Sequence, residues 1–441
     1  MITRPTLLEG DPGAHIRRLT LPLAWGMLAM TSFSVFDAWF ISRLGTTYLA
    51  AMAFTIPVVM FFMGIIFGAS VGTTSVIARV YGEGDMEKVR RMATDAMSLI
   101  VVCSVSAALL GVLAIDPVFR LMGAKPEIMP LIHRYMMVWY CGMPFLGVLM
   151  VGNACIRATG DTHFVSRMMT LLAVSNIILD PFFIFGWGPF PEWKLMGAAA
   201  TLVVSYYLTS CVSMYFLIFR QKILTFPLLH PELVPHWKRI LHVAVPSIIA
   251  NQIGPISAAI ITWMAAQFGK EAVAALGVAT RIESMATLIF YSMGAAIAIF
   301  TGQNYGAGNY GRIQEATRTG ARYSMVWGLC LAGLLWAFAR QIPALFDSNE
   351  QVISYTAQYL HWVPLSYGAL GVLVVCNAAL NAMGKPLPAT TLILLKTFGI
   401  YVPLAWFLQL HLGFTGILAA LLVTNMILGV LAYLWNQKIA S

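Results

Sequence analysis

Apolar residues along this chain neither alternate nor form narrow stripes; they run in blocks long enough to cross a bilayer. A hydrocarbon core about 30 Å thick takes about 20 helical residues to span. Twelve blocks of that order lie between charged or turn-rich breaks, near residues 17–43, 48–80, 90–115, 128–157, 163–187, 195–220, 238–268, 271–302, 313–340, 351–381, 386–410 and 413–437. Several run past one bilayer thickness, which tilt or extension into the cytoplasm accommodates. The pattern predicts an all-α integral membrane protein with twelve transmembrane helices. Residues 1–16 are polar and the first block is too long for the core of a signal peptide, so the first span is expected to be retained.

The blocks also repeat. "VYGEGDMEKV" (80–89) matches "NYGAGNYGRI" (304–313), and "GNACIRATG" (152–160) matches "CNAALNAMG" (376–384), both at a shift of 224 residues. Pro22 with Pro246 and Gly45 with Gly269 give that shift again, and "GAAATLVVS" (197–205) meets "GILAALLVT" (416–424) at 219. Each repeat holds six spans, an even number, so both start on the same side. The expected architecture is two six-helix lobes related by a pseudo-two-fold axis along the membrane normal. This divides the chain into a tail (1–16), a first lobe (17–220), a proline-bearing linker (221–237), a second lobe (238–437) and a tail (438–441).

Composition agrees, with 59% hydrophobic and 10% charged residues. The net charge of +9 suggests a nucleic-acid partner until the basic residues are placed. With the N-terminus inside, 18 of the 27 Lys and Arg fall on the tails and cytoplasmic loops, 7 on the opposite side and 2 (Arg281 and Lys396) within spans. The charge is therefore topological, both termini are expected in the cytoplasm, and no nucleic-acid-binding module accompanies it. The six cysteines lie in spans without metal-ligand spacing, which argues against a zinc site or a disulfide framework. No ATP-binding G-x-x-x-x-G-K-[ST] loop occurs, since Gly384 and Lys385 are followed by Pro386. Neither an enzyme nor an ATP-driven pump is indicated.

The two lobes differ in their acids. Asp37, Asn176 and Asp180 align with Ile261, Ile400 and Leu404, so the polar set belongs to the first lobe alone. Counting ~1.5 Å per residue from Arg17 and Arg167 puts both acids in the outer half of the membrane. Asn176 and Asp180 are four apart on one helix face, and Thr201 follows at similar depth. An aspartate in a span costs about 2.5–3.5 kcal/mol on insertion scales, so such residues usually face a cavity and act on ions or protons. The bland alternative is that Asp180 caps a kink at Pro181 and Asp37 sits at a wet helix end near Arg43.

These features resemble the multidrug and toxic compound extrusion (MATE) transporters: twelve spans in two repeats, the first-span aspartate followed by "ISRLG", "RATGDTHF" after span 4, and "RIE" with "GQNYGAG" at and after span 8. "NIILDP" together with Asp37 resembles the DinF-like branch. The resemblance implies a cation site of Asp37, Asn176 and Asp180, with Thr201 as a weaker addition; Asn153 is a further candidate as a residue bordering that pocket. It also implies antiport of organic cations and amphipathic drugs against protons or sodium by alternating access. No cofactor or resident metal is expected beyond the coupling ion, with Na⁺ at Asp37, Asn176 and Asp180 as the alternative to H⁺. The expected partners are small-molecule substrates and membrane lipids; the chain is read as a monomer in the bacterial inner membrane.

Further polar residues in the second lobe are secondary candidates: Arg281 and Glu283, read as a structural network, and Lys396, which near mid-membrane must pair or line water. Asn153 and Asn377 recur across the lobes, which favours a shared packing role. Two other functions compete. A major-facilitator transporter has the same span count, but the Gly-Arg expected after the aspartate of "YGEGDMEKVRR" is missing. A lipid-linked precursor flippase would favour an arginine-rich cleft and extra spans.

Overall fold

The computed structural model describes residues 6–225 and 231–440, and among them every regular element is helical. The order is α1 (Pro12–Ser42), α2 (Thr46–Glu83), α3 (Met86–Leu121), α4 (Met129–Ala158), α5 (Thr162–Phe185) and α6 (Leu195–Tyr215). Then come α7 (Leu233–Ala266), α8 (Lys270–Gly306), α9 (Tyr310–Ala337), a short α10 (Gln341–Ala344), α11 (Glu350–Trp362) and α12 (Tyr367–Ala382). The chain ends with α13 (Pro386–Leu394), α14 (Val402–Leu412) and α15 (Phe414–Ala440). A 3₁₀ turn joins α11 to α12, and a π turn over Leu395–Tyr401 joins α13 to α14, so each pair makes one crossing. Eleven crossings are both long and strongly apolar; α9 is the twelfth, its first half diluted by Arg312, Glu315, Arg318 and Arg322.

What repeats most faithfully in the sequence is the chain's punctuation. Gly45 and Gly269, Gly84 and Gly308, and Gly160 and Gly384 all take positive φ, between 72° and 108°. Only glycine enters that region without a steric penalty, so these letters survive in both repeats where neighbours drift. After two of the first-lobe turns an aspartate caps the next helix: Asp85 accepts from the Lys88 amide at 3.0 Å and Asp161 from the Phe164 amide at 3.0 Å.

The chain forms two compact units, one of residues 25–248 and one of residues 6–24 with 249 onward. The division falls inside α1 after Ala24 and inside α7 after Ile248, equivalent positions two residues beyond Pro22 and Pro246. A proline in a helix interior forfeits one ladder bond and loosens that turn. The lobes read from sequence began at 17 and 238, so residues 17–24 and 238–248 each group with the other unit.

In the first unit α4 is central, with Met136, Trp139, Met143 and Leu146 buried, and Phe62 of α2 meets the Tyr140 ring edge-on at 5.5 Å. The first half of α7 lies against α2, where a Cβ on Gly68 would stand 2.7 Å from the Ile248 nitrogen and one on Gly72 2.8 Å from the Ile240 carbonyl oxygen. Those glycines read from sequence as close packing, and the partner is α7. In the second unit the "GQNYGAG" segment has a comparable task. Asn304 Nδ2 donates to the Leu7 carbonyl at 3.2 Å, and Arg312 donates to the carbonyls of Gly10 at 2.9 Å and Leu7 at 3.2 Å. Large apolar side chains such as Leu109, Leu110, Leu113, Trp336 and Phe407 stay exposed, as lipid-facing surface requires.

One close approach is built twice. A Cβ on Gly197 would lie 2.2 Å from the Phe183 oxygen, and a Cβ on Gly416 would lie 2.3 Å from the Leu408 oxygen. Gly197→Ala and Gly416→Ala should each cost about 1–3 kcal/mol through overpacking, read as a lower thermal midpoint in detergent. Gly254→Ala, with open space at its Cβ, should leave the midpoint unchanged or raise it slightly.

Candidate functional site: a buried acidic cluster in the first lobe

The approach at Gly197 sets the geometry of the site. It brings α6 against the end of α5, and Thr201, one turn further along the same face, comes within hydrogen-bonding reach of Asp180. The same hydroxyl also lies 3.1 Å from the Gly197 carbonyl. It has one proton and two acceptors, so its donor can point either way. Asn176, a turn before Asp180, donates Nδ2 to the Leu172 carbonyl at 2.8 Å, which ties the amide and leaves its oxygen without a donor.

Asp37 of α1 joins this group: its charge acts directly on Asp180 and on Tyr135 of α4 and Tyr206 of α6. Asp37, Asn176, Asp180 and Thr201 are each 8% exposed or less. Among the described residues no Lys, Arg or His pairs with either carboxylate, and Asp180 Oδ2 has no hydrogen-bond donor. The bland alternative for Asp37 fails on this point, since Asp37 is buried while Arg43 lies over the Trp39 ring at 4.2 Å. Asn153 is buried on α4 with its oxygen unpartnered, and it hydrogen-bonds to none of the acids. Asn377, its counterpart, also has an unpartnered oxygen.

The second lobe keeps the scaffold and changes the chemistry. At the equivalents of Asp180 and Thr201 stand Leu404 and Ala420. Its charges sit elsewhere: Glu283 of α8 accepts a hydrogen bond from Tyr359 of α11, and Lys396, on the π turn, lies within electrostatic reach of Glu283. Tyr291, Tyr367 and Tyr401 surround the same carboxylate. Of the secondary candidates, Glu283 and Lys396 come together, whereas Arg281 is exposed and shares no hydrogen bond or ion pair with them.

The tyrosines did not stand out in the sequence, yet a signal existed. Tyr135 and Tyr359 are 224 residues apart, so each lobe turns the same tyrosine toward its own acid.

Comparison with known proteins decides the family. The MatE profile matches residues 22–182 and 246–407, twice and in the register of the repeat. The chain belongs to the MatE family. Members of the MATE family are transporters, and this placement sets aside the major-facilitator reading. A FAD transporter of Shewanella oneidensis is 34% identical over 100% of this chain and 98% of that one. The probable multidrug resistance protein YoeA of Bacillus subtilis is 26% identical over 90% and 88% of the two chains. The Vibrio cholerae MATE transporter VcmN in its bent form superposes with a TM-score of 0.93 at 27% identity over 97% of each chain.

The hydrogen bond that distinguishes the two tyrosines is directly testable. Tyr359→Phe strips a half-buried carboxylate of its donor and should cost about 1–3 kcal/mol. Tyr135→Phe loses no hydrogen bond in the protein and should cost less. Thermal unfolding of the two variants in one detergent makes the comparison.

Proposed function

We propose that this chain is a secondary antiporter that moves amphipathic, ring-bearing compounds out of the cell in exchange for protons or sodium ions taken up at Asp37, Asn176, Asp180 and Thr201. One observation carries the reading: two buried carboxylates from α1 and α5 share a site that gives them no basic partner. Such charges must be neutralised from outside the protein, by a proton, a sodium ion or a cationic cargo, and these then compete for one site. The unpartnered oxygens of Asn176 and Asp180 suit a hard cation, which takes oxygen ligands. Thr201 fits either ion. With Asp180 ionised its hydroxyl donates to the carboxylate; with Asp180 protonated or bound to Na⁺, the donor turns to the Gly197 carbonyl.

In an outward-facing state, uptake of the ion removes the negative charge that holds a cationic cargo, so the cargo leaves. The neutral site then turns inward, releases the ion and binds the next cargo. One proton entering down 100 mV supplies about 2.3 kcal/mol and one pH unit about 1.4 kcal/mol. Raising cargo tenfold outside costs about 1.4 kcal/mol. Asp37 together with the Asn176 and Asp180 pair supports a DinF-like reading, and the bias of Lys and Arg supports both termini in the cytoplasm; an inner-membrane monomer is part of the same proposal.

A second cargo, a flavin dinucleotide, is favoured by the full-length similarity to the Shewanella FAD transporter. Its negative charge would be driven outward by an inside-negative potential, so electrogenic exchange for a cation suits it energetically.

In proteoliposomes, Asp37→Asn and Asp180→Asn should each reduce gradient-driven export of ethidium and of FAD by about tenfold or more. Thr201→Val should weaken export several-fold, and Thr201→Ser should stay near wild type, because only valine lacks the hydroxyl. Imposing pH and sodium gradients separately identifies the ion; unchanged export in both aspartate variants would refute the assignment.

A further inference from the structure

The second lobe contains a charged group that the acid cluster does not use. Lys396 lies on the π turn between α13 and α14, half-buried at membrane depth, and among the described residues none accepts a hydrogen bond from its ammonium. The acid that acts on its charge, Glu283, is within electrostatic reach but forms no ion pair with it, and one oxygen of that carboxylate accepts from the Tyr359 hydroxyl. Three strong donors thus stand without protein acceptors near a carboxylate that is itself engaged by Tyr359. These charges are not remnants of the duplication: the first-lobe equivalents of Glu283 and Lys396 are Val59 and Leu172. π turns inside helices occur often at functional sites, where they re-aim a side chain. In the same cluster Tyr291 is 54% exposed and brings an aromatic ring of the kind that stacks on a planar cargo.

From this arrangement we infer that the second lobe carries a recognition site for the anionic group of a ring-bearing cargo, with Lys396 binding a phosphate or similar anion and Tyr291 meeting the ring. Glu283 balances the lysine when the site is empty, and its bond to Tyr359 keeps it from filling the place the cargo anion takes. The two lobes then have opposite preferences, cations at Asp37 and Asp180 and anions at Lys396. This rests on the flavin-nucleotide arm of the function proposed above and adds the residue that would select it.

Flavin mononucleotide and riboflavin share one ring and differ by a phosphate, so they isolate the lysine's contribution. With the purified full-length chain in detergent, quenching of flavin fluorescence should show the mononucleotide binding about tenfold or more tighter than riboflavin. Lys396→Gln should bring the mononucleotide down to the riboflavin level while riboflavin binding stays unchanged, which also shows that the variant is folded. Lys396→Arg should keep a preference for the phosphate. Equal binding of both flavins to the wild type, a preference that survives Lys396→Gln, or parallel loss of both flavins would each overturn the inference. So would Lys396-dependent binding of phosphatidylglycerol without any of the mononucleotide, since the anion would then be a lipid headgroup. If the phosphate preference holds but no ion gradient drives export, the antiport reading fails and this one stands. If gradient-driven ethidium export persists without a phosphate preference, only this one fails.

Discussion

Two carboxylates, buried within electrostatic reach of each other and without a basic partner among the described residues, set the terms for the first lobe. In water each would be solvated, and in most folded proteins each would be paired or excluded; here, among the described residues, Asp37 and Asp180 have no Lys, Arg or His pairing with them, and Tyr135, Tyr206 and Thr201 lie within reach of the cluster. A buried charge that the protein leaves uncompensated is costly by several kcal/mol. The lobe can therefore be comfortable only when something from outside neutralises it. Under the proposed function, that turns a packing problem into an exchange rule: the site would be emptied of one cation as it accepts another. The supporting structure is arranged to permit this, with a glycine at 197 bringing α6 close and a single hydroxyl at 201 able to serve either charge state.

The second lobe shows how little of that depends on the scaffold itself. Gly416 repeats the close approach of Gly197, Tyr359 repeats Tyr135, and the turn glycines recur in register, yet Leu404 and Ala420 replace the aspartate and threonine. Duplication supplied the helices and left each lobe to acquire its own polar set. Glu283 lies opposite a charge of the other sign, Lys396, where Asp37 and Asp180 carry the same sign, so the two lobes differ in electrostatics although they are built alike.

The spans were legible because bilayer crossing imposes length and apolarity on every segment, and the repeat because its best-kept letters, such as Gly84 and Gly308, perform a backbone task no other residue does. The acids were legible because a charge in such a segment is expensive and so stands out. Other features lay beyond those signals. Hydropathy shows 17–43 as one block and cannot show that the helix changes units after Ala24, a matter of which neighbours it packs against. Tyr135 sits among "HRYMMVWY", where one more aromatic carries no contrast, and only its register partner Tyr359 sets it apart. Arg281 and Glu283 are two apart and do not share a helix face, so spacing offered neither a partner beyond a general second-lobe network, and the partner of Glu283 came from α11.

The placement of donors and acceptors argues that the two polar sets do different work. At the first-lobe acids the groups left over are the oxygens of Asn176 and Asp180; beside Glu283 in the second lobe the unengaged charge is the Lys396 ammonium. Oxygens without donors receive protons and hard cations, and an ammonium without acceptors receives anions. A single cargo bearing both signs could not satisfy the first set and leave it free for the coupling ion. A cargo whose charge is negative avoids that competition, because it leaves the acids to the ion alone. Coupling would then have to come from the change in charge between loaded states, and direct displacement at Asp37 and Asp180 would be reserved for cationic cargo.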